Sequence, residues 1–113
     1  MPRLQSSSDP FLAIADPTRR AILDRLRRGE TPFAELAAAF DISAPAVSRH
    51  LRVLRDARLV QERRGGADAR QRCYRLDPLP LRGVVEWARG YQGYWEENLA
   101  SLKRHVEGKK QRT

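Results

Sequence analysis

A mainly α-helical domain carrying one small β-hairpin is the fold class this 113-residue sequence predicts. Three observations lead there. X-Pro pairs recur at Asp9-Pro10, Asp16-Pro17, Thr31-Pro32 and Asp77-Pro78. The residue before proline is pushed out of the α region, as a helix N-cap requires, and proline then fits the first turn, where its missing N–H does no harm. Between these marks apolar residues return at helical spacing. After Leu59 the period shortens, and two strand-like runs flank a Gly-rich tip.

Residues 1–8 are polar and serine-rich and read as a disordered arm. A first helix over about 10–15 carries Phe11, Leu12 and Ile14. Pro17 opens a second, with Ile22, Leu23 and Leu26 on one side. It closes at Arg27-Arg28-Gly29, cations in the last turn and then a glycine able to take positive φ. A third, from about Pro32 to Phe40, spaces Phe33, Leu36, Ala37 and Phe40 to face inward. Asp41-Ile42 then links it closely to a fourth helix, and two short helices so joined make a helix-turn-helix. Such turns often hold a glycine at a positive-φ position; Asp41 is the residue here that tolerates it.

The fourth helix, Ser43 to Leu59, organises the chain. Ser43 is its N-cap and Pro45 lies in its first turn. Val47, Leu51 and Leu54 form one stripe that needs a core, while Ser48, Arg49, Arg52, Arg55 and Asp56 lie off it. The hairpin that follows pairs the 59–64 and 71–76 runs around a flexible tip, 65–70. Arg63, Arg64, Arg70, Arg72 and Arg75 crowd it, either as a solvated edge kept soluble by charge or as a wing for a polyanion. From Pro80 a long helix runs to about Val106. Leu81, Val84, Val85, Ala88, Tyr91, Trp95, Leu99 and Leu102 keep helical period, widened by Trp87 and Tyr94. That apolar surface exceeds what a small domain covers alone, so it reads as a dimer seam shared with Phe11 and Leu12 of the first helix. Gly90 and Gly93 mark a kink or a close helix crossing, and Lys103 to Thr113 is a basic tail expected to fray. The expected organisation is thus an arm (1–8), one domain (9–107) with its dimerisation helix at about 80–106, and a tail (108–113).

Lysine and arginine number 22 against 14 acidic residues, a net charge of +8, with a sequence pI near 10.7. Such a chain seeks polyanions, nucleic acid first among them; a basic surface serving only solubility is the plainer alternative. The one cysteine, Cys73, excludes an intramolecular disulfide. It is either a redox-responsive thiol among arginines or a half-buried strand residue. No apolar run approaches the roughly 20 residues of a membrane span, and MPRLQSSSDP lacks a signal peptide's apolar core. A cytoplasmic location and a reducing compartment are expected. No nucleophile–base–orienter set or phosphate loop is present, so an enzyme is not expected.

The order helix, helix, helix-turn-helix, hairpin, long helix resembles the ArsR/SmtB family of winged-helix repressors from about Asp9 to Leu102. The residues carrying the likeness are Ala15-Asp16-Pro17-Thr18-Arg19-Arg20-Ala21-Ile22-Leu23, Glu35-Leu36-Ala37, Ala46-Val47-Ser48-Arg49-His50-Leu51 with Leu54, and Leu59-Val60. The resemblance implies a cytoplasmic homodimer that binds double-stranded operator DNA and represses transcription, often of its own operon. The family's metal sensors place cysteines after the Glu-Leu pair, where this chain has Ala37-Ala38-Ala39, or an Asp-x-His pair on the last helix. Here that helix offers Glu86, Glu96, Glu97, His105 and Glu107 instead. No metal site and no cofactor are therefore expected; an effector stays open.

In such a dimer the fourth helices would enter successive major grooves about 34 Å apart. Ser43, Ala44, Pro45, Ser48 and Arg49, near the helix start, would come closest to the bases, with Arg49 able to grip guanine bidentately. His50 would either touch a phosphate or pack locally. Arg52 and Arg55 would reach phosphates, joined by Arg63, Arg64, Arg70 and Arg72 of the wing. The alternative class is a winged protein-interaction module that binds no operator.

Overall fold

Asp9 opens α1 (Pro10–Ala13): its carboxylate accepts from the Phe11 N–H at 2.9 Å, and Pro10 stands in the first turn. The structure, a computed structural model, describes residues 9–65 and 68–111. The serine-rich arm lies outside these residues. After an extended Asp16 (φ −107°, ψ 128°), α2 (Pro17–Leu26) buries Ile22, Leu23 and Leu26. Gly29 then takes φ +141° beyond its end, as the exit from that helix requires.

The third X-Pro pair does something other than start a helix. Thr31 and Pro32 form a short strand, β1 (Thr31–Pro32), and α3 (Phe33–Ala39) begins one residue later. The extended backbone that pre-proline sterics favour suits a strand as well as an N-cap. Thr31 is buried opposite Tyr74, and its hydroxyl donates to the Gly29 carbonyl at 3.0 Å. With β2 (Val60–Gly65) and β3 (Asp68–Leu76) it makes an antiparallel three-stranded sheet ordered β1-β3-β2, not an isolated hairpin. Pro32 lies on an edge strand, where a missing donor is tolerated.

Between α3 and α4 (Ala44–Asp56) the link runs without positive φ. Phe40 leaves α3 extended (φ −120°, ψ 143°), so Asp41 needs no left-handed conformation. That conformation falls at the other end of α4, on Arg58 (φ +63°). There the Leu59 N–H donates to the Leu54 carbonyl and the Arg58 N–H to the Arg55 carbonyl, both at 2.9 Å. This is a Schellman closure with arginine where glycine is usual. It turns the chain sharply so that Leu59 and Val60 drop into the core.

β3 begins at Asp68, so its strand is longer and the tip shorter than the sequence suggested. Asp68 to Arg70 are strand, Gly65 pairs with Asp68, and the Gly66-Ala67 part of the expected flexible tip lies outside the described residues. Asp77-Pro78 forms a turn: the Asp77 carboxylate accepts from the Leu79 N–H at 3.1 Å and the Pro78 carbonyl from the Leu81 N–H at 2.9 Å. Only then does α5 (Leu81–Gln111) start.

The chain divides into two units, residues 1–81 and 82–113. The first holds the core, in which Ala13, Ile22, Leu36, Val47, Leu51, Leu54, Leu59 and Tyr74 pack together. Leu81, grouped by sequence with the dimer seam, packs against this core instead. Cys73 is buried on β3 rather than half-buried. The second unit is the body of α5, continuous through Gly90 and Gly93; the expected fraying tail is helical as far as Gln111. Val84 and Ala88 are partly covered, whereas Val85, Trp87, Tyr91, Tyr94, Trp95, Leu99, Leu102 and Val106 are exposed. Trp87, Tyr91 and Tyr94 follow one another as tilted ring pairs, with centroids 5.2 and 6.4 Å apart.

Candidate nucleic-acid interface

α4 begins as its sequence dictates. Ser43 is extended (φ −67°, ψ 153°) and its hydroxyl accepts from the Ala46 N–H at 3.2 Å. Val47, Leu51 and Leu54 are buried, which fixes the rotation of the helix about its axis. Ser43, Ala44, Pro45, Arg49, Arg52 and Arg55 consequently face solvent, and Ser48 and His50 sit at the border. A helix anchored along one stripe and presenting serine and arginine on the other has the shape and donors a major groove accepts.

The arginines expected at bases and phosphates differ in the partners the fold gives them. Arg49 and Arg52 are exposed with no ion pair among the described residues. Arg55 is hydrogen-bonded to Glu62 on β2. Arg63 makes a two-pronged pair with Glu30, at 2.8 and 2.6 Å, tying the wing to the segment between α2 and β1. The hydrogen bond from Arg63 holds the Glu30 carboxyl below its usual range, and Glu30 raises the Arg63 guanidinium in turn. Arg72 lies over the Phe33 ring, 4.5 Å from its centroid. Arg64 is exposed and pairs across the sheet with Arg72, while Arg70 is exposed farther along β3. Arg75 is hydrogen-bonded to Gln61.

Ser48, Leu51, Arg52 and Arg55 of α4 meet Arg72 and Tyr74 of β3 around a small polar cleft of about 70 Å³. Burial pushes the Tyr74 phenol up, with the Glu62 carboxylate adding to the shift, so it keeps its proton at neutral pH. The cleft therefore offers hydroxyl and guanidinium donors together, as an oxyanion would require.

His50 packs locally. Its Nδ1 lies 3.4 Å from Arg19 Nη1 and 3.8 Å from the Asp16 carboxylate. Sequence reasoning reads Asp16 only as a helix start and gives Arg19, Glu30 and Glu62 no part in the site; for the acidic residues, proximity to a basic surface is the only available signal. Among the described residues no three His, Cys, Asp or Glu side chains group as metal ligands would, and no helix is long and apolar enough to cross a membrane.

Comparison with known proteins places this geometry. Residues 16–62, from the start of α2 into β2, match the family described as "Bacterial regulatory protein, arsR family". The HTH-type transcriptional regulator Rv2034 of Mycobacterium tuberculosis is 41% identical over 99 residues, covering 83% of this chain and 90% of that protein. The transcriptional repressor SdpR of Bacillus subtilis is 38% identical over 77 residues, covering 68% of this chain and 82% of its own length. Among solved structures, the ArsR family transcriptional regulator RHA00566 superposes with a TM-score of 0.67 at 35% identity, covering 81% of this chain and 98% of that one.

Proposed function

Because this chain belongs to the ArsR family and is a DNA-binding transcriptional regulator, not an enzyme, we propose that it acts as a homodimeric repressor reading a two-fold symmetric operator. The observation that carries this reading is the division of α4: Val47, Leu51 and Leu54 are spent on the core, leaving Arg49 and Arg52 exposed together. Ser43, Ala44, Pro45, Ser48 and Arg49 are the base-facing set, with Arg49 reading guanine. Arg52, Arg55, Arg64, Arg70 and Arg72 hold phosphates. Arg63, committed to Glu30, contributes to the wing's shape more than to phosphate contact.

The wing itself supports an anionic partner. Arg64 and Arg72 stand directly opposite each other in the β2–β3 register. Like charges so placed destabilise a sheet, and a phosphate between them removes that penalty. Pairing is the work of α5, whose exposed aromatic and aliphatic residues form the kind of patch that a second copy covers; Phe11 and Leu12 of α1, also exposed, are further apolar residues offered for pairing.

Two copies of α4 would enter grooves one helical turn apart, about 34 Å. With roughly eight phosphates neutralised, log affinity against log salt falls with a slope of about −7. Selection of bound sequences from random duplex DNA tests the proposal. A two-fold symmetric consensus supports it. No enrichment, with a tight salt-independent protein partner instead, would place the chain among winged interaction modules.

A further inference from the structure

Arg19, on the first turn of α2, connects three other segments. Its Nε donates to the Ala13 carbonyl at 2.6 Å and its Nη2 to the Leu12 carbonyl at 3.1 Å. Its Nη1 faces His50 Nδ1 at 3.4 Å, and the Asp16 carboxylate at 3.8 Å from that same nitrogen completes the group. The three side chains are largely covered, with 18% of Arg19 and 24% each of Asp16 and His50 exposed. His50 Nδ1 also lies 3.8 Å from the Asp16 carboxylate, so the three side chains form one close polar group.

The members have different settings. Leu12 and Ala13 end a four-residue helix, too short to hold its place by its own hydrogen bonds. The Leu12 carbonyl accepts from the Ala15 N–H at 3.2 Å, and Arg19 adds a second donor there and one to the Ala13 carbonyl. His50 belongs to α4, one residue beyond Arg49. We infer that Arg19 is a positioning residue for operator reading: it braces the end of α1 against His50 and so sets the pose in which α4 presents Ser48 and Arg49 to the bases. The inference rests on the reading of α4 as the DNA-contacting helix. Arg19 itself touches no base and neutralises no phosphate in this account. It acts through His50, and its rigid planar fork, which grips two carbonyls while its third nitrogen faces His50, is the feature lysine cannot copy.

The test is a double-mutant cycle on the full-length protein, using Arg19→Gln, His50→Phe and the double variant. Affinity is measured for the selected operator and for an unrelated duplex over a series of salt concentrations. Arg19→Gln should lose about tenfold in operator affinity, the scale of one lost charge-assisted hydrogen bond. Affinity for unrelated DNA and the salt slope should stay at wild-type values. His50→Phe should lose a similar factor, and the double variant no more than either alone, because both remove one connection. Arg19→Lys should fail to restore the loss. If Arg19→Gln proves too unstable to purify, the Arg19→Lys and His50→Phe pair carries the same cycle.

A salt slope shallower by about one unit, with equal losses on both DNAs, would make Arg19 a phosphate contact and overturn the inference. Additive losses, or an unchanged operator affinity, would overturn it as well. If the wild-type protein selected no operator at all, the reading of α4 would fail first, an outcome separable from all of these.

Discussion

α4 and α5 carry the same kind of apolar stripe and meet opposite fates. In α4 the stripe is covered within the chain: Val47, Leu51 and Leu54 are 0%, 1% and 0% exposed. In α5 Tyr91, Trp95 and Leu99 stand 47%, 57% and 64% exposed, although their spacing is as regular. Helical period says that a stripe needs cover; it does not say which molecule supplies it. α4 has 13 residues and lies among α2, α3 and β2, which close over it. α5 has 31, about 46 Å of helix, and its aromatic residues keep wide contact with water. One stripe therefore stabilises the fold, and the other is free to stabilise an assembly.

That contrast can be broken at either end. Leu51→Ala removes a fully covered side chain and leaves a cavity, so chemical denaturation should show a loss of about 2–5 kcal/mol. At concentrations where both proteins are monomeric, Trp95→Ala should leave that transition nearly unchanged. Its effect belongs to the proposed seam: sedimentation over a range of concentrations should show dimer association weakened by about 2 kcal/mol or more, as for a buried aromatic anchor. If Trp95→Ala unfolded the protein as Leu51→Ala does, the two stripes would not differ as described.

The exposed side of α4 gives the next test. Arg49→Ala should cost about 1–3 kcal/mol on the preferred operator and relax sequence preference at one position in each half-site, read by repeating the selection with the variant. A smaller effect is expected where α4 ends. Arg58 sits at φ +63°, a conformation that costs an L-residue roughly 1–2 kcal/mol, so Arg58→Gly should raise stability by about 0.5–1 kcal/mol net of glycine's chain entropy. The smallest effect concerns the wing's tether. The Glu30 carboxyl is held below its ordinary 4.5 by Arg63. A lowered folded value means a stabilising increment present above about 4.5 and lost as pH falls through the lowered value. Glu30→Gln should remove that limb from an acid-unfolding profile and leave neutral-pH DNA binding near wild type.

What was legible in the sequence was mostly local. The Asp9 and Asp16 helix starts, the Ser43 cap and the α4 stripe each depend on residues a few positions apart, and the structure shows them as read. The errors arose where one local signal serves two outcomes. An extended pre-proline residue fits both an N-cap and a strand, and Thr31 became a strand only because Tyr74, far along the chain, lies opposite it. Residue preference points to Asp41 for the left-handed residue; it falls on Arg58, where the geometry of leaving α4 outweighs the preference for glycine. In the candidate site the arginines were countable but their partners were not. Glu30 with Arg63 and Phe33 with Arg72 are pairs of distant residues, and only the fold brings them together.

The central claim is that α4 reads DNA effectively only when α5 pairs two copies of it. The most direct measurement compares wild type and Trp95→Ala on a full symmetric operator and on a single half-site, at protein concentrations where the variant is monomeric. The wild type should strongly prefer the full operator. The variant should bind both DNAs with the same weak affinity, its Arg49-dependent preference intact. A monomeric variant that still bound the full operator as tightly as the wild type would contradict it.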